Sequence, residues 1–410
     1  MSVFTKFKSW TSPKFESFLN WLEATTFVYV KFSSIHALEY FGVCGPNKRW
    51  VGRFVGLLVA GMVSLVIPTL ISVLHEDSSS RMLMKIGYLL FLIGSTIDFC
   101  VISWKNDEFV ELLRNLEDIH KTVSESEHSD DNLRIMEMHS SRVAKLNRFY
   151  LCFGIVAYAF FILVPIVYTV VSFIFWPEYP VVATATQLGP NDFYFDYTSN
   201  IFRAIVFHLL QFPGISFMDM IVVMDSFFFS VFALYGLPPL DVTIAMVKRL
   251  SGDKPLDKGG ISKIVAMHNS ALECISLLED IMNLIFLCYH FVFLVVLSFV
   301  LFGISKYSND FPADRVFTFL LCALGKVLAM CYTGKRLNDL AAELSFVIYD
   351  TKWYDAPLDI QQNILLMLQM SQKRVGLTAG KFYYADMESF AELVNESYSY
   401  YLIMKKMLDN

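Results

Sequence analysis

Asp386–Lys406, DMESFAELVNESYSYYLIMKK, is the stretch on which the fold turns. At about 100° per residue, Glu388, Glu392, Asn395, Glu396 and Ser399 fall within one narrow arc of a helix. Phe390, Leu393, Val394, Tyr401 and Leu402 cover the other directions. The segment is long enough to span a bilayer, yet three carboxylates against lipid would be costly. The arc is therefore expected to face a bundle interior or an aqueous path.

The remainder of the chain supplies such a bundle. It is 55% hydrophobic, 16% aromatic and 18% charged over 410 residues, too apolar for an ordinary soluble protein. Seven segments, near 54–74, 86–103, 149–175, 201–235, 281–305, 316–334 and 386–404, are continuous apolar runs long enough to cross a core of about 30 Å as helices. Lys6, Lys8 and Lys14 interrupt the first 20 residues, so no removable signal peptide is expected and the first crossing serves as its own targeting signal. The segments that fall on one side of the crossings carry 25 Lys and Arg, against 7 on the other. That asymmetry predicts a cytosolic N-terminus and, with seven crossings, an external C-terminus.

None of the seven cysteines falls in a predicted external loop, so no external disulfide is expected. No CxxC pair, GxSxG elbow, phosphate-cradling GxxxxGK[ST] or HExxH is present. Neither an enzyme, a cofactor, a metal nor a nucleic-acid partner is expected.

Several segments outside the crossings are amphipathic. The arm Lys14–Trp50 mixes Phe15, Phe18, Trp21, Leu22, Phe27, Phe32, Ile35 and Leu38 with charges, and reads either as an interfacial helix or as an ordinary packing helix. Glu108–His120 is helical in pattern, and SESEHSDD, Ser124–Asp131, reads as a mobile acidic loop. The fourth segment would be roughly 50 Å long as one helix and must project into the cytosol, with a kink at Pro213-Gly214 and with Asp219 and Asp225 pointing to protein partners. Ile261, Ile264, Val265, His268, Leu272, Ile275 and Leu278 recur at helical spacing before the fifth crossing. Leu337, Leu340, Ala341, Leu344, Phe346 and Val347 do so after the sixth, followed by an amphipathic Ile360–Arg374. These extensions are expected to build a compact cytosolic domain shared between subunits. The one substantial external loop, Phe175–Tyr197, is rich in Pro and aromatic residues and suits either a folded lid or interfacial anchoring.

Two polar features have competing readings. His208 and Gln211, one turn apart in the fourth crossing, serve either an interhelical hydrogen bond or direct ligand contact. The acidic arc of the seventh segment either meets partners on neighbouring helices or lines a pore. With several copies around an axis, Glu388, Glu392 and Glu396 would form acidic rings that favour cations, Ile403 a dewetting gate, and Lys406 would stand near the external mouth.

The C-terminal third resembles the most characteristic region of insect odorant receptors. The resemblance is carried by Gly334-Lys335, Ser345, Tyr349 with Trp353-Tyr354, a Leu-rich helix ending in Gln372-Lys373-Arg374, Thr378-Ala379-Gly380, Phe390, Ser397-Tyr398-Ser399, and His268 upstream. The Val-Gly after Arg374 departs from relatives that have a proline nearby.

That resemblance implies an all-α, seven-helix subunit of inverted orientation with cytosolic helical extensions forming an anchor domain. It implies an odorant-gated, non-selective cation channel in the plasma membrane of olfactory sensory neuron dendrites. Such a channel is a heterotetramer with the olfactory co-receptor, embedded in lipid, and its seventh helix lines the pore. The short fourth-to-fifth connection marks a tuning subunit. The division implied is 1–53, cytosolic arm; 54–335, six membrane helices with an odorant pocket in their outer half; 336–384, anchor helices; and 385–410, pore helix and tail. By depth and aromatic content, Tyr88, Phe91, Tyr158, Ile162, His208, Gln211 and Phe319 are the candidate contacts for a small volatile odorant. Glu388, Glu392, Asn395, Glu396, Ser399 and Ile403 are the candidate pore lining. A gustatory-type channel of the same architecture is the near alternative. A G-protein-coupled receptor is the distant one, opposed by the predicted orientation.

Overall fold

The computed structural model describes residues 59–75, 79–126, 128–176, 198–250, 258–306 and 313–408, with the isolated positions 56, 182 and 196. The predicted interfacial arm and most of the aromatic external loop lie outside the described residues.

Nine helices are described: α1 Val59–Leu74, α2 Ser79–Trp104, α3 Asn106–Ser124, α4 Ser129–Phe175, α5 Ile201–Leu250, α6 Lys258–Lys306, α7 Ala313–Tyr349, α8 Leu358–Ser371 and α9 Met387–Leu408. The expectation of an all-helical chain is borne out, with one small addition. Two-residue strands, β1 Thr378–Ala379 and β2 Tyr383–Tyr384, pair antiparallel between α8 and α9. Three residues, Gly380 to Phe382, connect them; the Phe382 N–H donates to Ala379 O at 3.1 Å, closing a tight turn whose central residues Gly380 and Lys381 are both left-handed, at φ 60° and 64°.

The organising element is α6. From Ile261 to Phe302 its sequence contains no Gly or Pro, and buried residues recur every three or four positions, from Ile261, Ile264 and Met267 through Leu278 and Ile285 to Phe293 and Val300. This one stripe packs against α2, α3, α5, α7, α8, β1 and α9. It is also the described helix that is long and apolar enough by itself to cross a membrane. Shorter apolar helical stretches are Val59–Leu74, Lys85–Gly94, Ile162–Phe175 and Ile201–Phe217.

At about 1.5 Å per residue, α4, α5 and α6, with 47, 50 and 49 residues, each run some 70 Å, more than twice a bilayer core. The continuation of α5 to Leu250 is a departure from the sequence reading, which ended the segment at Tyr235. Pro238 and Pro239 lie inside the helix. Beyond them Thr243 Oγ1 donates to Pro239 O at 2.7 Å. The acidic loop is likewise shorter than expected. Ser129, Asp130 and Asp131 form the first turn of α4, where carboxylates meet the positive end of the helix dipole.

The extensions bury their apolar faces in one core. Phe109, Leu112 and Leu116 of α3 belong to one buried cluster with Leu240 and Ile244 of α5, Leu278 of α6, Leu337 and Leu344 of α7, and Ile360 and Ile364 of α8. Each such side chain contributes about 1.5–3 kcal/mol relative to exposure in water. Phe346 is a correction: it is 74% exposed, because the buried stripe of α7 runs through Leu337, Leu340, Ala341, Leu344 and Ile348. Tyr349, Tyr354, Leu358 and Leu366 are also exposed on this side.

Candidate functional site

Asp386 sets the start of α9. Its Oδ1 accepts the backbone N–H of Ser389 at 3.0 Å and the Ser389 hydroxyl at 3.1 Å, the geometry of an N-cap. Its Oδ2 accepts from Arg374 Nη2 at 2.8 Å, and the Arg374 guanidinium lies 3.9 Å from the Tyr384 ring centroid. The short hairpin between these partners is itself fastened to α6. Gly380 N–H donates to Asn283 O at 2.8 Å, and Thr378 Oγ1 donates to Glu279 Oε1 at 2.7 Å. On the α7 side, a Cβ placed on Gly334 would overlap the Ala385 carbonyl oxygen. Glycine there lets α7 touch the entry to α9.

One side of α9 is packed, and the remainder, which includes Tyr398, Tyr400 and Leu402, is exposed. Leu393 is buried with Phe293 and Leu297 of α6 and Val327 and Cys331 of α7, and Phe390 and Val394 pack on that cluster. Ser397 is fully buried. Ser298 Oγ of α6 lies 3.0 Å from Ser397 O, and Tyr401 Oη donates to Ser305 Oγ at 3.1 Å. Glu388, Glu392, Asn395, Glu396, Ser399 and Ile403 are all exposed. Among the described residues none of the three glutamates forms an ion pair. The acidic arc therefore does not meet partners within the described bundle. At the base of this helix, burial first, then the charges of Glu396 and Cys331, push the Tyr383 hydroxyl up to about 12, so it stays a neutral donor. Its ring stands edge-on to His290 at 5.0 Å.

The second candidate region is where α1, α2, α4 and α5 come together. The Nε2 of His208 on α5 lies 3.2 Å from Thr169 Oγ1 on α4, an interhelical hydrogen bond. Gln211 is 1% exposed, and Thr169 and Ser172 are 2% exposed, so a polar seam runs between α4 and α5. The face of α1 also packs on α5. Cβ atoms on Gly61 and Gly214 would meet Phe217 and the Ser64 and Leu65 side chains, so the two backbones approach closely. Thr69 Oγ1 on α1 is buried with no hydrogen-bond partner among the described residues. Tyr88 packs on Leu65, Val66 and Leu92 at the α1–α2 contact, and Ile162 is half-buried on α4. Phe91, Tyr158 and Phe319 fall on α2, α4 and α7, and their side chains lie outside the described residues.

The structure thus brings His208 and Gln211 to one seam and places Tyr88 at the α1–α2 contact. Sequence reasoning did not single out Thr169, Thr69 or Ser298, and named Arg374 only as the end of the Leu-rich helix. The pairing of Thr169 with His208 carries no signal along the chain, being 39 residues apart. Arg374 with Asp386 had one, a conspicuous basic residue 12 positions before a helix cap.

A family model described as 7tm odorant receptor matches residues 79–398. Odorant receptor 85b of Drosophila melanogaster is 25% identical over 158 residues, which are 38% of this chain and 40% of that protein. Odorant receptor 10 of Aedes albopictus is 22% identical over 211 residues, 48% of this chain and 53% of that one. The chain thus spans about half the length or less of these curated relatives. The structure of the insect olfactory receptor OR5 from Machilis hrabei in complex with eugenol superposes with a TM-score of 0.74 at 12% identity, covering 93% of this chain and 97% of that one. The fold is therefore shared nearly end to end.

Proposed function

The chain belongs to the 7tm odorant receptor family, and from that premise we propose that it is a tuning subunit of an odorant-gated, non-selective cation channel. The observation that carries the proposal is the two-faced α9. One face is fixed to α6 and α7 through Leu393, Ser397 and Tyr401, and the acidic face is left uncovered by its own bundle. A carboxylate at mid-membrane costs about 2.5–3.5 kcal/mol against lipid, so the uncovered arc needs an aqueous neighbour. Copies of this helix around an axis supply one. Glu388, Glu392, Asn395, Glu396 and Ser399 then line a cation path, and Ile403 forms its apolar constriction.

In this reading the N-terminus is cytosolic, α1, α2, α7 and the outer parts of α4–α6 hold the odorant, and the core around α3, α8 and the helix extensions is the anchor domain. The exposed Phe346, Tyr349, Leu358 and Leu366 are surfaces for neighbouring subunits, one of them the olfactory co-receptor. The relative from Machilis hrabei holds eugenol. For this chain the ligand class is a small volatile, enclosed by Tyr88, Phe91, Tyr158, Ile162, His208, Gln211 and Phe319, with the buried Thr69 hydroxyl as an added polar contact. Binding opens the pore only through tighter affinity for the open state than the closed one. The site of action is the plasma membrane of olfactory neuron dendrites.

The test is current evoked by a panel of volatiles in cells expressing the chain with and without the co-receptor, with G-protein signalling blocked. Current that requires both subunits and survives the block supports the proposal. Current abolished by the block would contradict it.

A further inference from the structure

We propose that Cys100 and Cys152 are paired sites of S-acylation at the cytosolic edge of the membrane. Both thiols are free and exposed, whereas Cys274 and Cys331 are buried and Cys288 is half-buried. Cys100 lies three residues before the end of the second predicted crossing, 86–103, and Cys152 three residues after the start of the third, 149–175. Three helical residues are about 4.5 Å of depth, so two different helices carry a thiol at the same level, just inside the hydrocarbon.

The flanks repeat as well. Trp104, one turn beyond Cys100, is 76% exposed, and Phe149, one turn before Cys152, is 64% exposed. Lys105 follows the first aromatic, with its Nζ 5.9 Å from the Trp104 ring centroid, and Arg148 precedes the second. Aromatic and basic residues at the end of a membrane crossing mark the interface, and a cysteine beside them is the arrangement in which S-acylation occurs. The main packing partners of α2 are α1, α3 and α6, and those of α4 are α3 and α5. Neither packs extensively on α9, and both thiols are left uncovered by their own bundle.

The chemistry needs a long-chain fatty acyl-CoA as donor. The cysteine sulfur attacks the thioester carbonyl, a new carbon–sulfur bond forms, the bond to the coenzyme's sulfur breaks, and the proton lost by the cysteine ends on the departing thiol. No oxidant or reductant is involved. The attached chain would lie along α2 or α4 in the cytosolic leaflet. The inference rests on the proposed orientation, since only a cytosolic thiol meets acyl-CoA.

The experiment uses the full chain carrying a C-terminal tag, expressed with the co-receptor. Free thiols are blocked, thioesters are cleaved with neutral hydroxylamine, and the thiols so released are labelled with a maleimide polymer. Two hydroxylamine-dependent mass steps are expected for the wild type, one each for Cys100→Ser and Cys152→Ser, and none for the double variant. Absence of steps in the wild type, or steps that survive undiminished in the double variant, would overturn the proposal. Staining the tag on intact cells separates the two readings. A tag stained from outside with no mass steps sinks S-acylation alone, whereas a tag reached only after permeabilisation sinks the orientation and the proposal with it.

Discussion

Replacing Asp386 tests how the last helix is started. The carboxylate does two things: Oδ1 caps the first turn of α9 at Ser389, and Oδ2 pairs with Arg374. Loss of an N-cap costs about 1 kcal/mol. The ion pair joins a side chain that is 14% exposed to one that is 50% exposed, so screening holds it to about 0.5 kcal/mol. Asp386→Ala therefore costs about 1.5 kcal/mol in local opening of the first turn, close to a tenfold loss of amide protection. Asn caps as well as Asp, so Asp386→Asn gives up only the pair, about a twofold loss. Hydrogen exchange with mass spectrometry on a peptide spanning residues 386–394, in detergent or nanodiscs, reads both values. Arg374→Ala is expected to match the Asn variant, and to add nothing when combined with Asp386→Ala. Equal protection in wild type and Asp386→Ala, or an Asn variant as labile as the Ala variant, would refute the reasoning.

Two glycines of α7 are expected to respond in opposite directions. Among the described residues nothing lies within 4 Å of a Cβ on Gly325, so Gly325→Ala gains about 1 kcal/mol of helix propensity. At Gly334→Ala the new methyl meets the Ala385 carbonyl, and overpacking costs about 1–3 kcal/mol. Thermal unfolding of the purified variants, followed by tryptophan fluorescence, checks the sign of each, and a stabilised Gly334→Ala would count against the α7–α9 contact. His268, 2% exposed in the core formed by the helix extensions, has its imidazole held below its ordinary value of 6.5 by burial. Its neutral form is favoured in the fold, so this contribution is fully present above pH 6.5 and is lost as pH falls through 6.5 toward the lowered value. Urea unfolding at pH 7.5 and 5.5 is expected to show a pH dependence that flattens in His268→Leu. An unchanged slope would remove His268 as its source.

The periodic parts of this molecule were legible along the chain because a single neighbour, the core, dictates them. The recurring Ile and Leu of α6 and the Leu337, Leu340 and Leu344 stripe of α7 fall inward as their spacing requires. Phe346 broke the pattern because a large apolar side chain on the opposite face looks the same in composition as one on the stripe. The hairpin at Thr378–Tyr384 was not foreseen. Two strands of two residues are too short for any alternation to register, and their stability comes from Asn283 and Glu279, nearly a hundred residues earlier. The same distance effect hid Thr169 opposite His208. In the last helix the spacing of the glutamates gave their shared arc, and packing contributed what spacing lacks, namely that Leu393 and Ser397 face α6 and α7 while the arc does not.

That separation of faces is tested most directly by cysteine scanning of α9 in the co-expressed channel. Single cysteines are placed at Glu392, Asn395, Glu396, Ser399 and Ile403, and at Leu393, Val394 and Ser397, with the native thiols alone as baseline. A water-soluble, positively charged thiosulfonate is applied during odorant-evoked current. The account predicts rapid block at the first five positions and none at the other three. Block centred on Leu393 and Ser397, or no block at any of the eight, would contradict a pore wall formed by the acidic arc.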